Sequence, residues 1–208
     1  MSTGADLLDL SPVMPVVVVS DVDDAVPVAR ALLAGGIRVI ELTLRTPVAL
    51  AAIERVANEV PDIVIGAGTV TAPDHAKQAL DAGASFLVTP GVTDQVLDAC
   101  FDTGLPFLPG ASTASEAMRL AERGVTALKF FPAEASGGVD YLKSIGGPLP
   151  GLRFCPTGGI TLKTAPAYLA LPNVGCIGGS WLTPKDALAA KDFSRIEAFA
   201  REASALRG

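Results

Sequence analysis

The sequence predicts an α/β fold: a TIM-type (β/α)8 barrel with a short N-terminal helix, one domain over residues 1–208. Three observations predict it. Eight apolar, strand-like runs alternate with alanine- and leucine-rich helical stretches, and that alternation is the pattern of a parallel sheet. Eight units in 208 residues leave about 26 residues each, enough for a strand, a helix and two short loops. No linker or break in composition divides the chain, and the G-x-G-x-x-G that a dinucleotide-binding open sheet carries after an early strand is absent.

The elements follow in order. Residues 1–12 read as a short helical lead-in. The first strand, 15–19, runs into Asp21, Asp23 and Asp24, where negative charge favours a helix start. The second and third strands are 39–44 and 63–68. The next helix opens in TAPDHAKQAL, with Thr71 as candidate cap and Pro73 in its first turn. It carries His75, the chain's one histidine, read as an exposed helix residue. The fourth strand is 85–89, and Thr93 before Asp94 starts the helix after it. The fifth is 106–109, followed by Thr113 and Glu116 at capping-box spacing. The sixth, seventh and eighth are 127–131, 153–156 and 174–178, and residues 192–207 form a last amphipathic helix. Gly35 or Gly36, Gly83, Gly104 and Gly124 sit where helices must end, because glycine tolerates the left-handed turn there.

Composition narrows the function. Half of the residues are hydrophobic and 18% are charged, which excludes a disordered chain. The net charge is −6 with no basic run, so no nucleic-acid partner is expected. Charged residues, glycine or proline interrupt every apolar run before 18 residues, so no membrane span is expected. The acidic start lacks the basic segment of a signal peptide, and a cytoplasmic location is expected. Cys100, Cys155 and Cys176 make an odd count without metal-site spacing and read as buried thiols. One histidine cannot build a three-histidine zinc site within one chain. No metal and no cofactor are expected.

Charges inside strands carry the strongest functional signal. Of six lysines only Lys129 falls in a strand run, TALKFFP; of 22 carboxylates only Glu41 lies mid-strand, in RVIELTLRTP. Side chains alternate faces along a strand. Glu41, Thr43 and Arg45 therefore share the barrel-facing side, as do Lys129 and Phe131, while Ile40, Leu42, Leu44, Leu128 and Phe130 face helices. Barrel interiors are normally packed with branched apolar residues, and buried charge is costly unless paired or functional. A structural ion pair of Glu41 with Lys129 or Arg45 is one use of such charges. Thr69 and Thr157, ending the third and seventh strands, bring two hydroxyls to the same mouth, more donors than a structural pair needs. The pairs Gly158-Gly159 and Gly178-Gly179, the latter before Ser180, follow strands seven and eight, where barrels commonly hold phosphate. Tight turns are the other use of such glycines.

Together these groups fit an imine-forming aldolase acting on a phosphorylated ketoacid. A lysine desolvated or set beside another cation is a nucleophile near neutral pH. Its imine with a ketone accepts the electron pair of a breaking carbon–carbon bond. Glu41 is the one intra-barrel carboxylate able to move the protons. Arg45 offers a planar fork to a carboxylate, Thr69 a hydrogen bond, and Phe131 an apolar wall.

The motifs VIELTLRTP, IGAGTV, KFFPAE, PTGGI and GGSWL resemble those of the KDPG/KHG aldolase family, from Pro15 to the last helix. The resemblance implies a class I aldolase that cleaves 2-dehydro-3-deoxy-6-phosphogluconate to pyruvate and D-glyceraldehyde 3-phosphate, the aldol step of the Entner–Doudoroff pathway. Relatives act on 4-hydroxy-2-oxoglutarate, on the galactonate epimer, or decarboxylate oxaloacetate. By this resemblance Lys129 is the Schiff-base lysine and Glu41 the general acid/base. Arg45 and Thr69 contact the pyruvate carboxylate, and Gly158, Gly159, Gly179 and Ser180 form the phosphate region. It also implies a cofactor-free homotrimer. The Thr157 hydroxyl resembles the gluconate-type enzymes, where galactonate-type relatives carry an aliphatic residue. A phosphosugar isomerase or epimerase, and a non-catalytic phosphosugar-binding barrel, are the alternatives from other classes.

Overall fold

The computed structural model describes residues 4–207; residues 1–3 of the expected lead-in, and residue 208, lie outside the described residues. The lead-in contains a short helix, α1 (Gly4–Leu7). Strands β1 (Val13–Val17), β2 (Val39–Thr43), β3 (Val64–Gly68), β4 (Phe86–Val88), β5 (Phe107–Leu108), β6 (Gly110–Ala111), β7 (Ala127–Phe130), β8 (Arg153–Pro156) and β9 (Ile177–Gly179) follow. Between and after them run α2 (Ala25–Ala34), α3 (Ala49–Glu59), α4 (Pro73–Asp81), α5 (Asp94–Asp102), α6 (Ala114–Glu122), α7 (Gly138–Ile145), α8 (Ala165–Leu169), α9 (Lys185–Ala189) and α10 (Phe193–Ser204).

The result is an α/β fold with a curled parallel sheet. The ladders divide into a six-stranded sheet, β5-β4-β3-β2-β1-β9, and a three-stranded one, β6-β7-β8. Parallel bridges Phe154↔Val174 and Thr157↔Gly178 lie outside the ladders. The expected fifth strand is two pieces separated by Pro109. Proline has no N–H to donate to a ladder, and its carbonyl accepts the Lys129 amide at 2.9 Å. β5 consequently pairs with β4 and β6 with β7. The first strand lies two residues earlier than expected, and the last is Ile177–Gly179, with Val174 only bridging to Phe154.

Alternation along the strands sorts the core. Ile40, Leu42, Leu128 and Phe130 join the large cluster packed with the helices. Met14, Val39, Ala127 and Cys155 join a smaller cluster on the opposite face, together with Leu7 and Leu8 from the lead-in. Asp9 anchors that lead-in through two bonds from Arg153 of β8, at 2.7 and 3.0 Å.

Most helix boundaries follow the expected chemistry. Gly36, Gly83, Gly104 and Gly124 all have positive φ. Thr93 caps α5 by accepting the Val96 amide, and Thr113 with Glu116 forms a capping box on α6. Asp192 caps α10. Thr71 does not cap α4: the extended residue before that helix is Ala72, so Thr71 stands one position too early. Its amide instead donates to Nδ1 of His75 at 3.4 Å, and His75 is half-buried. The three cysteines are buried and form no disulfide, and burial pushes the Cys100 thiol up to about 11. Among the described residues no helix is long and apolar enough to cross a membrane.

Candidate active site

The in-strand lysine and the in-strand carboxylate meet. Lys129 on β7 and Glu41 on β2 are 88 positions apart in sequence, with Nζ 3.1 Å from Oε1 and 3.5 Å from Oε2. They are only 3% and 1% exposed, so water does not screen them. Their register explains the meeting: Glu41 shares strand parity with Val39, and Lys129 with Ala127, both in the inner cluster. The carboxylate fits because β3 offers no side chain there. A Cβ on Gly68 would lie 2.1 Å from Oε1 of Glu41, a separation that no real contact adopts. Thr43, two residues on, is buried and donates its hydroxyl to the Val17 carbonyl at 3.0 Å.

The remaining groups gather above the pair. Phe131 follows β7 and places its ring centroid 5.4 Å from Nζ of Lys129, within cation–π range. Arg45 follows β2 and is exposed; its Nε donates to Oγ1 of Thr69 at 3.1 Å. Both terminal nitrogens of its fork are then available to an anion. Thr69 holds φ at 61°, a conformation that costs a β-branched residue roughly 1–3 kcal/mol. That strained backbone presents its hydroxyl to Arg45. Thr157 is buried and donates to the Cys155 carbonyl at 3.4 Å.

A cavity of about 110 Å³ opens here, lined by Val16, Arg45, Phe131, Thr157, Gly158, Gly159, Ile160, Gly178 and Ser180. Six expected substrate-binding residues thus share one cavity. Lys129 and Glu41 do not line it and are buried. Thr69 reaches it only through Arg45. Gly179 is placed against the ring of Trp181, where a Cβ would lie 2.3 Å from a ring carbon, and its neighbour Gly178 lines the cavity instead. Val16 and Ile160 also line it and are not among the expected binding residues. Val16 shares strand parity with Met14 of the inner cluster, a signal that alternation along the first strand could have supplied. Among the described residues no group of three or more His, Cys, Asp or Glu could hold a metal ion.

Chemically, the arrangement sets an amine within proton-transfer reach of a carboxylate, excludes water from both, and adds a cationic fork and glycine-rich backbone at the mouth. Known proteins resemble the chain in sequence and in fold. The family model for KDPG and KHG aldolase matches residues 5–199. The chain is 51% identical over 204 residues to a 2-dehydro-3-deoxy-phosphogluconate aldolase of Dickeya dadantii, covering 98% of this chain and 96% of that one. A solved KDPG aldolase of Legionella pneumophila, with pyruvate captured as a covalent carbinolamine intermediate, superposes with a TM-score of 0.95. It is 44% identical, with 98% of each chain covered. The 2-keto-3-deoxy-6-phosphogluconate aldolase of Zymomonas mobilis ZM4, solved with 3-phosphoglycerate, gives 0.93 at 45% identity, covering 98% of this chain and 96% of that one. Matched along nearly its whole length in sequence and in fold, the chain belongs to the KDPG and KHG aldolase family.

Proposed function

We propose that this chain is a class I aldolase cleaving 2-dehydro-3-deoxy-6-phosphogluconate to pyruvate and D-glyceraldehyde 3-phosphate. The observation that carries the reading is the dry Lys129–Glu41 pair at 3.1 Å, set next to a cavity lined by an arginine fork and glycine backbone. With its proton passed on, Lys129 adds Nζ to the C2 ketone, forming a carbinolamine. Loss of water leaves the protonated imine. Glu41, directly or through water, takes the proton of the C4 hydroxyl. The C3–C4 bond then breaks, its electron pair flows into the imine as an enamine, and the aldehyde phosphate departs. Protonation at C3 and hydrolysis release pyruvate and restore the lysine.

Binding follows from the same geometry. Arg45, oriented by Thr69, takes the C1 carboxylate through its fork. Phe131 walls the imine. The Thr157 hydroxyl addresses a substrate hydroxyl, and unmet partners there discriminate against the epimer. Backbone at Gly158, Gly159, Gly179 and Ser180 takes the phosphate. The two bridges, with only Pro109 between β5 and β6, support closure of the ladders into one TIM-type (β/α)8 barrel in a single domain. A cytoplasmic homotrimer without cofactor is the assembly the family resemblance implies. Sedimentation equilibrium at three times the 21.2 kDa chain mass is the expected result for it.

Borohydride reduction in the presence of pyruvate, followed by peptide mass spectrometry, tests the mechanism. A pyruvate adduct on Lys129 is expected. No adduct on folded protein with excess pyruvate would overturn the imine route and favour the isomerase or binding-module readings.

A further inference from the structure

The loops after β7 and β8 are laced together at the mouth. The Ala133 amide donates to the Thr157 carbonyl at 2.8 Å, and the Glu134 amide to the Gly158 carbonyl at 3.1 Å. Gly158 and Gly159 hold φ at +106° and +81°, where glycine alone is unstrained. Freedom of that kind leaves the loop without a conformation of its own, so its shape must be fixed by neighbours. Glu134 is such a neighbour. A Cβ on Gly159 would lie 2.7 Å from its Cγ and 2.8 Å from its Cβ, so the glutamate stem rests directly on the glycine.

The Glu134 carboxylate is itself tied. Its Oε1 accepts the Tyr168 hydroxyl at 2.6 Å. Tyr168 lies on α8 with 0% exposure, a fixed donor beneath an exposed acid. Burial and the bond to Glu134 both raise the phenol above its ordinary value, so it stays protonated and donating through the neutral range. Gly138 makes room for it: at φ +57°, its added Cβ would lie 3.0 Å from the Tyr168 oxygen. The chain closes the circuit. Between Gly159 and α8, the Thr161 amide donates to Oγ1 of Thr164 at 3.0 Å and the Thr164 amide to Oγ1 of Thr161 at 3.3 Å.

We propose that Glu134 and Tyr168 are positioning residues for the phosphate end of the substrate, fixing the Gly158–Gly159 backbone and holding a carboxylate off the cavity those glycines line. Glu134 is not among the residues lining that cavity. A carboxylate free to turn into it would repel a phosphate dianion; one held by a buried donor stays out. The inference rests on the aldolase reading and deepens it, because it assigns discrimination for a phosphorylated substrate to two residues with no contact to Lys129. Their effect falls on substrates that bring a phosphate and spares chemistry that does not need one.

Steady-state kinetics on 2-dehydro-3-deoxy-6-phosphogluconate, beside deuterium exchange into the methyl group of pyruvate, test this. Exchange reports imine and enamine formation with no phosphate present. Tyr168→Phe is expected to raise KM for the phosphorylated substrate about tenfold, the size of one hydrogen bond to a charged group, with kcat and exchange unchanged. Glu134→Ala, at an exposed residue, removes the stem that rests on Gly159 and should raise KM in the same direction by a smaller factor, since no carboxylate remains to repel the phosphate; it serves if the tyrosine variant folds poorly. Glu134→Gln keeps an acceptor oxygen and should restore most of the loss. The double variant should be no worse than either single one, since coupled residues are not additive. An unchanged KM, an equal loss in exchange, or additive losses would each overturn the proposal. Failure of the unmodified protein to exchange pyruvate protons or form the borohydride adduct would instead strike the aldolase reading on which it rests.

Discussion

At the scale of single residues, the site depends on what is missing opposite Glu41. The carboxylate occupies the space a side chain at Gly68 would fill. Gly68→Ala is therefore expected to push the acid off Lys129 while leaving β3 in its sheet. A misplacement of about 1 Å can cost on the order of 10²-fold in rate, so kcat should fall by about that much with little change in pyruvate binding; unchanged turnover would show that the carboxylate position is immaterial. Glu41→Gln should slow turnover by roughly 10²–10⁴-fold, the usual contribution of a positioned acid or base, while pyruvate still binds. Turnover at the native rate would remove Glu41 from the proton transfers. The pair itself was legible in the sequence, because Lys129 is the one lysine and Glu41 the one carboxylate placed inside strand runs. The clearance at Gly68 was not, because it depends on the register of β2 against β3. The exchange of Gly178 for Gly179 has a similar origin, since the last strand proved to extend through Gly179.

At the scale of elements, legibility tracked how local the determining chemistry is. The α6 start was readable from Thr113 and Glu116 alone, and the capping box forms there. One Oε2 of Glu116 accepts the amides and hydroxyls of both Ser112 and Thr113. The α4 start was misread by one residue because Ala72 offers no side-chain signal, and the split at Pro109 depends on which neighbours each half pairs with. Thr113→Ala should cost about 1 kcal/mol, read from denaturant midpoints. The Glu116 contribution should depend on pH. Bonds led by the Ser112 amide hold its carboxyl below the ordinary 4.5. A depressed folded value means the stabilisation is complete above the unfolded value and lost as pH falls through the folded one. Glu116→Gln should therefore lower the melting temperature at neutral pH, with the gap narrowing well below pH 4.5. A gap constant with pH would show that the charge is not what stabilises the cap.

At the scale of the whole molecule, the Lys129–Glu41 pair spans the two sheets. Glu41 belongs to the six-stranded sheet and Lys129 to the three-stranded one, and they meet where neither is more than 3% exposed. Removing one member leaves the other charged and unpaired in a dry interior, which costs roughly 3–5 kcal/mol; replacing both by apolar groups of similar volume is often neutral. A domain of this kind has about 5–15 kcal/mol in total, so Lys129→Met should stay folded but unfold at clearly lower denaturant. Glu41→Leu combined with Lys129→Met should recover most of that loss while remaining without cleavage activity. Urea unfolding followed by both circular dichroism and Trp181 fluorescence should give one coincident transition for each protein, the outcome the proposed single domain predicts. Two separated transitions would mean that the sheets unfold independently and that the pair does not join them. If the double variant were as unstable as the single one, the pair would hold the sheets by its attraction. Recovery would show that its burial is a stability cost retained for the chemistry.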